Sequence, residues 1–485
     1  MNIEKRIIRW MTVAALLTAS GFAPAAPPAT QTRPGPATRP AIVLEAEDAE
    51  PHGTLYATAR PGFTGDGYVT GFDGGDDRLI FRIPSAAGGL YAVDVRYSAQ
   101  QIKGFNLHVN GVGREDFFQP SGDRFATHTS GKIELRPGEN VVELRKGWGA
   151  YDIDRMELIP TEPSTLKKPP ATLVNPAAGE PAKRLMRKLV DGYGGGMLSG
   201  VQGRREAQKV FDRTGVWPAI MGGDLIEYSP SRVARGAKPA GTVERWIEDA
   251  AAGYVVVVMW HWNAPSGLID QRQHRVNNKT VDASWYRGFY TEATTFDVAA
   301  ALADPKGEAY GLLLRDIDVM AGELKKLDAA GTPVLWRPLH EADGGWFWWG
   351  AKGPDAFKQL WALMYDRLTN HHKLNNLIWM YTGTARMDWY PPDDQFDMIG
   401  VDAYPPDVRD PLSATWEAIQ ARYGGRKVVA LSEFGGVPDV EAMHRAGVRY
   451  AYFMSWDGKQ GPDKMSVEDL RRIYLSPGTV NRGAK

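Results

Sequence analysis

The sequence predicts a multi-domain chain in which a jelly-roll-like β-sandwich is followed by a (β/α)8 TIM barrel. Its 485 residues are too many for one ordinary core and suit a large domain with a smaller partner. The first third contains short alternating strands with Gly-rich turns, whereas later apolar runs alternate with helical segments. Hydrophobic residues make up 43% and charged residues 24%, which are ordinary globular values.

The N-terminus is typical of a secretory signal peptide over residues 1–26. A basic start precedes an apolar run from Met11 to Ala19, and small residues at 23–26 resemble an A-x-A cleavage site. The apolar run is too short to span a membrane. We therefore expect a secreted protein, extracellular or periplasmic, with no membrane association after cleavage. Residues 27–41 are rich in Pro, Thr and Ala and are predicted to form a linker.

Overall composition excludes several classes of function. The net charge of −1 gives no electrostatic attraction to nucleic acid or to an anionic membrane. The chain has no Cys, which excludes disulfides, thiolate nucleophiles and Cys-ligated metals. Its 16 Trp residues favour a sugar-binding cleft, because indole faces match the flat C–H faces of sugar rings.

Residues 42–160 are predicted to form the β-sandwich. Pro137-Gly138-Glu139-Asn140 is a turn signal between apolar segments at 132–135 and 141–144, and it predicts a hairpin there. Residues 161–182, which have little apolar content, are predicted to be a second linker.

Residues 183–485 are predicted to form the (β/α)8 barrel. Continuously apolar runs such as Val255–Val258 suit a sheet buried on both faces, and helical patterns such as Tyr310–Ala329 and Asp355–Leu368 lie between such runs. The predicted strands are 197–201, 216–221, 254–260, 333–338, 376–381, 397–401, 427–431 and 449–455. An open doubly wound sheet is the alternative, but Gly194–Gly196 does not match a dinucleotide- or phosphate-binding loop.

Reactive residues of such barrels lie at the C-terminal ends of the strands. Glu341 and Glu433 follow the fourth and seventh predicted strands. A glycosidic bond is cleaved by two such carboxyl groups, one protonating the departing oxygen and the other attacking the anomeric carbon or activating water. We expect the rings of residues 346–349 and the facing Glu433 to raise the pKa of Glu341, and the Tyr404 hydroxyl to stabilise ionised Glu433.

The spacing of the histidines does not predict a metal site. His340-Glu341 begins an H-E-x-x-H pattern, but Gly344 occupies the second His position. His371 and His372 are predicted to be solvated on a helix. Three Trp residues at 346, 348 and 349 cannot all point one way, so we expect Trp346 to face sugar and at least one other to pack.

Residues 336–350, WRPLHEADGGWFWWG, resemble the acid/base motif of glycoside hydrolase family 26, whose members are mostly β-mannanases, and Ser432-Glu433-Phe434-Gly435 resembles its nucleophile motif. The resemblance spans about residues 183–480. It implies Glu341 as acid/base and Glu433 as nucleophile. The other implied or expected site residues are His261, His340, Trp346, Tyr404 and Trp456 as substrate contacts and Arg337 as a support for the carboxylates.

Two positions depart from the family motif. Many members have Met or Asn after the His-Glu pair, where this chain has Ala342-Asp343. The departure touches neither of the two carboxylates that the motif implies as catalytic. The stretch from Trp262 to Phe296 is a long loop on the active face and is expected to shape the cleft.

Residues 42–160 resemble carbohydrate-binding module family 35 through Glu45-Ala46-Glu47-Asp48 and Tyr151-Asp152-Ile153-Asp154. The resemblance implies a structural Ca²⁺ held by Glu45, Glu47 and Asp154. Trp148 is the predicted sugar platform of this module.

Together these features predict a monomeric, retaining endo-β-1,4-mannanase that needs no cofactor for catalysis and binds β-mannan. One alternative keeps the mechanism but acts on mixed-linkage β-glucan or β-xylan. A second alternative is a non-catalytic glycan-binding protein, whose mark would be the loss of one carboxylate.

Overall fold

The computed structural model describes residues 40–85, 88–239 and 241–483. The predicted signal peptide at 1–26 lies outside the described residues. The chain divides into two compact units, one containing the N-terminal strands and the other containing the parallel strands. None of the helices in the described part of the chain combines the length and the apolar character that a membrane crossing needs.

The N-terminal strands form two antiparallel sheets that bury a shared core. One sheet has the order β3-β4-β11-β6-β9 with β1 paired to β11, and the other has the order β2-β5-β10-β7-β8. The strands are β1 (Ile42–Glu45), β2 (Glu50–His52), β3 (Leu55–Ala57), β4 (Tyr68–Thr70), β5 (Arg78–Ser85), β6 (Gly89–Ser98), β7 (Lys103–Val109), β8 (Val112–Phe118), β9 (Ala126–Leu135), β10 (Gly138–Trp148) and β11 (Asp152–Pro160). Phe118 stacks between Tyr97 and Phe105 at centroid distances of 4.2 and 4.1 Å. The predicted β-sandwich is confirmed.

The hairpin predicted around residues 137–140 is wrong. β9 pairs with β6, whereas β10 pairs with β5 and β7, so the chain passes from one sheet to the other at this turn. The turn itself is present, and the Asn140 side chain exchanges hydrogen bonds of 2.9 Å with the backbone of Arg136. Turn residues specify a reversal of the chain, but burial of the inner strand faces decides which strands pair.

The second unit contains a closed barrel of eight parallel strands. Their order is β12-β13-β14-β17-β18-β19-β20-β21, and β12 closes the ring by pairing with both β13 and β21. The strands of this unit are β12 (Met197–Gln202), β13 (Ile220–Asp224), β14 (Val255–Met259), the hairpin β15 (Gln271–Val276) and β16 (Lys279–Ala283), β17 (Val334–Arg337), β18 (Leu377–Thr382), β19 (Met398–Ala403), β20 (Val428–Phe434), β21 (Tyr452–Ser455) and the short β22 (Thr479–Val480). The predicted TIM barrel is confirmed.

Amphipathic helices connect the barrel strands. The helices are α1 (Glu180–Gly192), α2 (Arg204–Thr214), α3 (Pro230–Val233), α4 (Thr242–Ala251), α5 (Val298–Ala303), α6 (Glu308–Ala329), α7 (Gly353–Tyr365), α8 (Ser413–Tyr423), α9 (Val440–Arg445) and α10 (Val467–Tyr474). The two helices predicted by periodicity correspond to α6 and to α7 with the π-helical turn Asp366–His371 that continues it. α6 buries Leu313, Ile317, Met320, Leu324 and Leu327, which is one face at helical spacing.

The second barrel strand lies further along the chain than predicted. It was expected at 216–221, but β13 covers Ile220–Asp224. Pro218 has no N–H to donate to a strand ladder, and Trp217 instead stacks on Phe211 at a centroid distance of 4.4 Å. The shift puts Asp224, rather than Met221, at the C-terminal end of this strand.

Candidate active site

Three carboxylates converge at the C-terminal ends of β17, β19 and β20. One carboxylate oxygen each from Glu341, Asp402 and Glu433 lies within 4.8 Å of the other two. Retaining glycosidases hold their two carboxyl groups about 5–5.5 Å apart. The structure therefore brings the two predicted glutamates together at a separation that suits direct attack on a sugar. It adds Asp402, whose signal in the sequence was its position at the end of the sixth barrel strand.

A buried guanidinium links two of these carboxylates. Arg337 has no exposed surface, and its Nη1 donates to Asp402 Oδ2 at 2.8 Å while its Nη2 donates to Glu433 Oε2. The Tyr404 hydroxyl donates to Glu433 Oε1, and the Ser432 hydroxyl donates to Asp402 Oδ1 at 2.7 Å. Glu433 is thus held by one cation and one hydroxyl, as an ionised carboxylate requires.

The environment of Glu341 favours its protonated form. Burial raises its pKa well above the ordinary value, and the negative charges of Glu433 and Asp402 raise it further. The neutral indole Nε1 of Trp346 donates to Glu341 Oε2 at 3.0 Å. Burial and Asp402 raise the pKa of Glu433 to about 7, while Arg337 and the Tyr404 hydroxyl oppose this rise. Because Arg337 binds Glu433 directly but does not bind Glu341, Glu341 is the glutamate that keeps its proton to higher pH.

The backbone that carries Glu341 is strained. Leu339 and Glu341 have φ values of 49° and 55°, in the left-handed region that non-glycine residues seldom adopt. The chain then turns tightly, with the Gly344 N–H donating to the Glu341 carbonyl at 3.1 Å. A Cβ at Gly350 would lie 1.9 Å from the Ala342 carbonyl oxygen, so this position requires glycine.

The three Trp residues after Glu341 divide between solvent and core. Trp346 is 40% exposed, whereas Trp348 and Trp349 are buried. The buried indoles donate to the carbonyls of Trp262 at 2.6 Å and His340 at 2.9 Å, respectively. The exposed Trp346 is therefore the one that can contact a ligand.

Two histidines form a chain with an aspartate beside the carboxylates. His340 Nε2 lies 3.2 Å from His261 Nε2, and His261 Nδ1 lies 2.6 Å from Asp224 Oδ2. Burial and the nearby Arg337 lower the pKa of His340 well below its ordinary value, so this imidazole is neutral. Sequence reasoning missed Asp224 because the strand that carries it was placed too early in the chain.

Trp456 follows β21 and is partly exposed. Its ring centroid lies 6.3 Å from that of His261, so the structure places it beside the same group of residues. His372 is not part of this site. It was predicted to be solvated, but its side chain is mostly buried and its Nε2 lies 2.6 Å from Asp318 Oδ1. That prediction was wrong because the helix packs this imidazole against α6.

The long excursion at 262–296 reaches the loop that carries Glu341. Tyr290 forms a β-bridge with Phe347, and the Thr291 N–H donates to the Trp346 carbonyl at 2.9 Å. These contacts fix the backbone of the exposed Trp346.

In the N-terminal sandwich, Trp148 is half-buried. A Cβ at Gly104 would lie 2.3 Å from its Nε1, so this edge of the indole rests on the glycine backbone. Phe117, which is 37% exposed, lies beside it at a centroid distance of 6.1 Å. The indole Nε1 has no hydrogen-bond partner among the described residues.

The acidic residues of the sandwich gather around the loop at residues 64–67. Glu45 Oε2 and Asp154 Oδ2 both accept from the Thr64 hydroxyl, at 2.9 and 3.0 Å. Glu47 Oε1 accepts from the Asp66 N–H at 2.7 Å and from the Gly67 N–H at 3.1 Å.

The three acidic residues of this cluster differ in how well they suit a cation. Glu47 Oε2 is buried without a hydrogen-bond partner in the described part of the chain, as a cation ligand would be. Asp154, however, is already paired with Arg96. Glu341, Asp402 and Glu433 have carboxylate oxygens within 4.8 Å of one another, but the three predicted ligands do not form such a group. Glu45 and Glu47 therefore fit a cation better than Asp154 does.

Comparisons with known proteins agree with this architecture. Residues 174–484 match the profile described as Glycosyl hydrolase family 26, and residues 42–161 match that of Carbohydrate binding module (family 35). A mannan endo-1,4-beta-mannosidase of Thermothelomyces thermophilus is 40% identical over 477 residues, covering 97% of this chain and 96% of the relative. Mannan endo-1,4-beta-mannosidase A of Piromyces sp is 33% identical, covering 86% and 68%.

Among solved structures, the GH26-CBM35 beta-(1,4)-mannanase of Podospora anserina is 42% identical and superimposes with a TM-score of 0.65, covering 93% of this chain and 98% of that one. Both resemblances seen in the sequence motifs are confirmed. The barrel, its paired glutamates and these matches lead to one conclusion: the chain belongs to glycosyl hydrolase family 26.

Proposed function

We propose that the protein is a secreted endo-β-1,4-mannanase that hydrolyses β-mannan with retention of configuration. The observation that carries the proposal is the close pair Glu341 and Glu433, of which only Glu433 is bound by Arg337 and Tyr404. The substrate class rests on relatives named as mannan endo-1,4-beta-mannosidases, one of which aligns along nearly the whole chain. The basic and apolar N-terminus supports secretion. One chain holds the complete carboxylate pair, which suits action as a monomer.

In the first step, a carboxylate oxygen of Glu433 attacks the anomeric carbon of the sugar. The bond to the glycosidic oxygen breaks, and that oxygen takes the proton of Glu341 as the leaving chain departs. The product is a glycosyl ester of Glu433, and Glu341 is left ionised. Arg337 and the Tyr404 hydroxyl hold the attacking carboxylate in place throughout.

In the second step, Glu341 acts as a base. It removes a proton from water, whose oxygen attacks the anomeric carbon while the ester bond to Glu433 breaks. Two inversions at one carbon give net retention. Glu341 regains its proton and Glu433 its charge, so both carboxyl groups return to their starting states.

The remaining residues of the site are proposed to bind and orient the sugar. Trp346 is exposed and its indole donates to Glu341, so its face lies next to the point of cleavage. His261 and His340 are held by Asp224 and by each other, which orients their rings. The ring centroids of Trp456 and His261 lie 6.3 Å apart, and Trp456 is proposed to contact a neighbouring sugar ring.

The N-terminal module is proposed to bind polysaccharide through Trp148 and to contain a structural Ca²⁺. Carboxylate oxygens are the ligands that Ca²⁺ prefers, and Glu45 with Glu47 supplies them beside the loop at 64–67. Asp154 holds the same loop through Thr64. The ion would stabilise this loop and takes no part in the hydrolysis.

Substrate class is tested by reducing-end release from purified polysaccharides. We expect the wild-type protein to produce short manno-oligosaccharides from linear mannan and galactomannan, and much less product from mixed-linkage β-glucan or β-xylan. Equal or faster release from glucan or xylan would contradict the mannanase assignment. No release from any polymer would support the non-catalytic alternative.

Azide rescue tests the two catalytic roles with matched variants. Glu433→Ala and Glu341→Ala should each lose at least about 10³-fold in hydrolysis of mannan. With an aryl β-mannoside and azide, Glu433→Ala should give the α-mannosyl azide, because azide replaces the nucleophile. Glu341→Ala should give the β-mannosyl azide, because azide replaces the activated water. Products of the opposite configuration would exchange the two roles.

The raised pKa of Glu341 also predicts a cost in stability at alkaline pH. A carboxyl whose pKa is raised in the folded state binds its proton more tightly there, so stability is lost as pH rises from the unfolded value of 4.5 through the folded value. Glu341→Gln removes this loss. Its melting temperature should exceed that of the wild type by more at about pH 8 than at about pH 4. A difference that does not change with pH would contradict the shift.

Chelation tests the proposed Ca²⁺. EDTA should lower the melting temperature of the wild-type protein, and excess Ca²⁺ should restore it, because an ion that binds only the folded state stabilises it. Glu47→Gln should no longer respond to either addition. Glu50→Gln is the matched control, since its exposed carboxylate pairs with Arg82 instead. An unchanged melting temperature of the metal-stripped wild type would exclude the site.

A further inference from the structure

The loop that carries Glu341 is tied to the loop after β18 through the side chain of Asp343. The Thr384 N–H donates to Asp343 Oδ2 at 2.8 Å, and the Thr384 hydroxyl donates to the same oxygen at 2.5 Å. Arg386 Nη1 donates to the Asp343 backbone carbonyl at 3.2 Å. Three hydrogen bonds thus join two loops that lie about forty residues apart in the chain.

The partner loop is itself firmly held. The Tyr390 hydroxyl donates to the Thr384 carbonyl at 3.2 Å, and the Tyr390 ring stacks on Tyr423 at a centroid distance of 5.2 Å. Tyr390 and Tyr423 are buried. The backbone of Thr384 is therefore held in place, so its hydrogen bonds can restrain Asp343.

Glu341 lies in a turn whose backbone conformation is strained, so contacts with other parts of the chain are needed to hold it. Its φ of 55°, with 49° at Leu339, is strained for residues with a side chain. The far end of the turn is fixed where Thr291 binds the Trp346 carbonyl. Asp343 lies between these points, where the Thr384 contacts hold the middle of the turn.

We propose that Asp343 is a positioning residue that holds the Glu341 carboxyl against the leaving-group oxygen. This inference rests on the proposed function, since it concerns the proton that Glu341 transfers. The Asp343 carboxylate accepts its hydrogen bonds from Thr384, so its proposed action on Glu341 passes through the backbone of the turn. A misplacement of about 1 Å in such a group costs up to about 10²-fold in rate.

The role predicts a dependence on the leaving group. A sugar leaving group needs the proton of Glu341, whereas 2,4-dinitrophenolate is stable as an anion and leaves without one. Asp343→Ala should therefore lower kcat/KM on linear mannan by about 10- to 100-fold. On 2,4-dinitrophenyl β-mannobioside the same variant should stay within about threefold of the wild type.

Two further variants separate position from charge. Asp343→Asn keeps an oxygen that accepts from Thr384 but loses the negative charge, and it should retain kcat/KM on mannan within about threefold of the wild type. Thr384→Val removes the hydroxyl and leaves the N–H, so its loss on mannan should be smaller than that of Asp343→Ala. The matched control is Asp318→Ala. It removes a carboxylate on α6 that is bound by Arg367 and His372. It should leave the ratio of the two kcat/KM values unchanged.

Several results would overturn the proposal. Asp343→Ala cleaving mannan at the wild-type rate would exclude it, and so would an equal loss on both substrates. Failure of Asp343→Asn to restore activity on mannan would assign the effect to charge instead. These outcomes are distinct from failure of the proposed function, in which the wild-type protein itself would not cleave mannan.

Discussion

The chemistry of this barrel depends on one buried ion pair network, in which the Arg337 guanidinium lies between Asp402 and Glu433. A charge without solvent must be paired, and here a single cation serves two carboxylates. Glu341 lies within the same 4.8 Å group but does not contact the cation. Three carboxylates with one positive charge cannot all ionise easily, so a proton is retained. The placement of Arg337 favours ionisation of Glu433 over ionisation of Glu341.

The fold also makes Glu433 and Glu341 differ in how firmly each is held. In a closed parallel barrel, β17, β19 and β20 end on the same side, so residues that are distant in the chain meet there. Glu433 lies on β20 and is held by Arg337, which ends β17, and by Tyr404, which directly follows β19. Glu341 lies beyond its strand, in a strained turn that needs support from the loops on either side. The proposed nucleophile, Glu433, is thus held by its position in the sheet, and the proposed acid/base, Glu341, is positioned by loop contacts.

Much of this could be predicted from the sequence, for physical reasons. Buried parallel strands are read from their continuous apolar runs, and the residues after them are expected at the active face. Glu341 and Glu433 were found in this way, and so was the contact of Tyr404 with Glu433. Two predictions about the strands were wrong: the position of the second barrel strand and the pairing of β9 with β10. Pro218 moved the second strand and hid Asp224, and the reversal before Asn140 joined two sheets rather than two paired strands.

Several other contacts between side chains of separate elements had no signal in the sequence. Nothing in the pattern showed that Arg337 would lie between Asp402 and Glu433, because strand ends do not reveal side-chain direction across a barrel. The pairing of Asp343 with Thr384 joins loops whose sequences are unrelated to each other. The placement of His372 against Asp318 depends on helix packing in the same way.

The identity of the ionised carboxylate is tested most directly by trapping the covalent intermediate. A 2-deoxy-2-fluoro-β-mannosyl fluoride slows both steps but retains a good leaving group, so the glycosyl ester accumulates. After digestion at low pH, peptide mass spectrometry should find the fluorosugar on the peptide that contains Glu433 and specifically on that residue. A label on Glu341 or Asp402, or an intact protein mass that never increases while the reagent is turned over, would contradict the account.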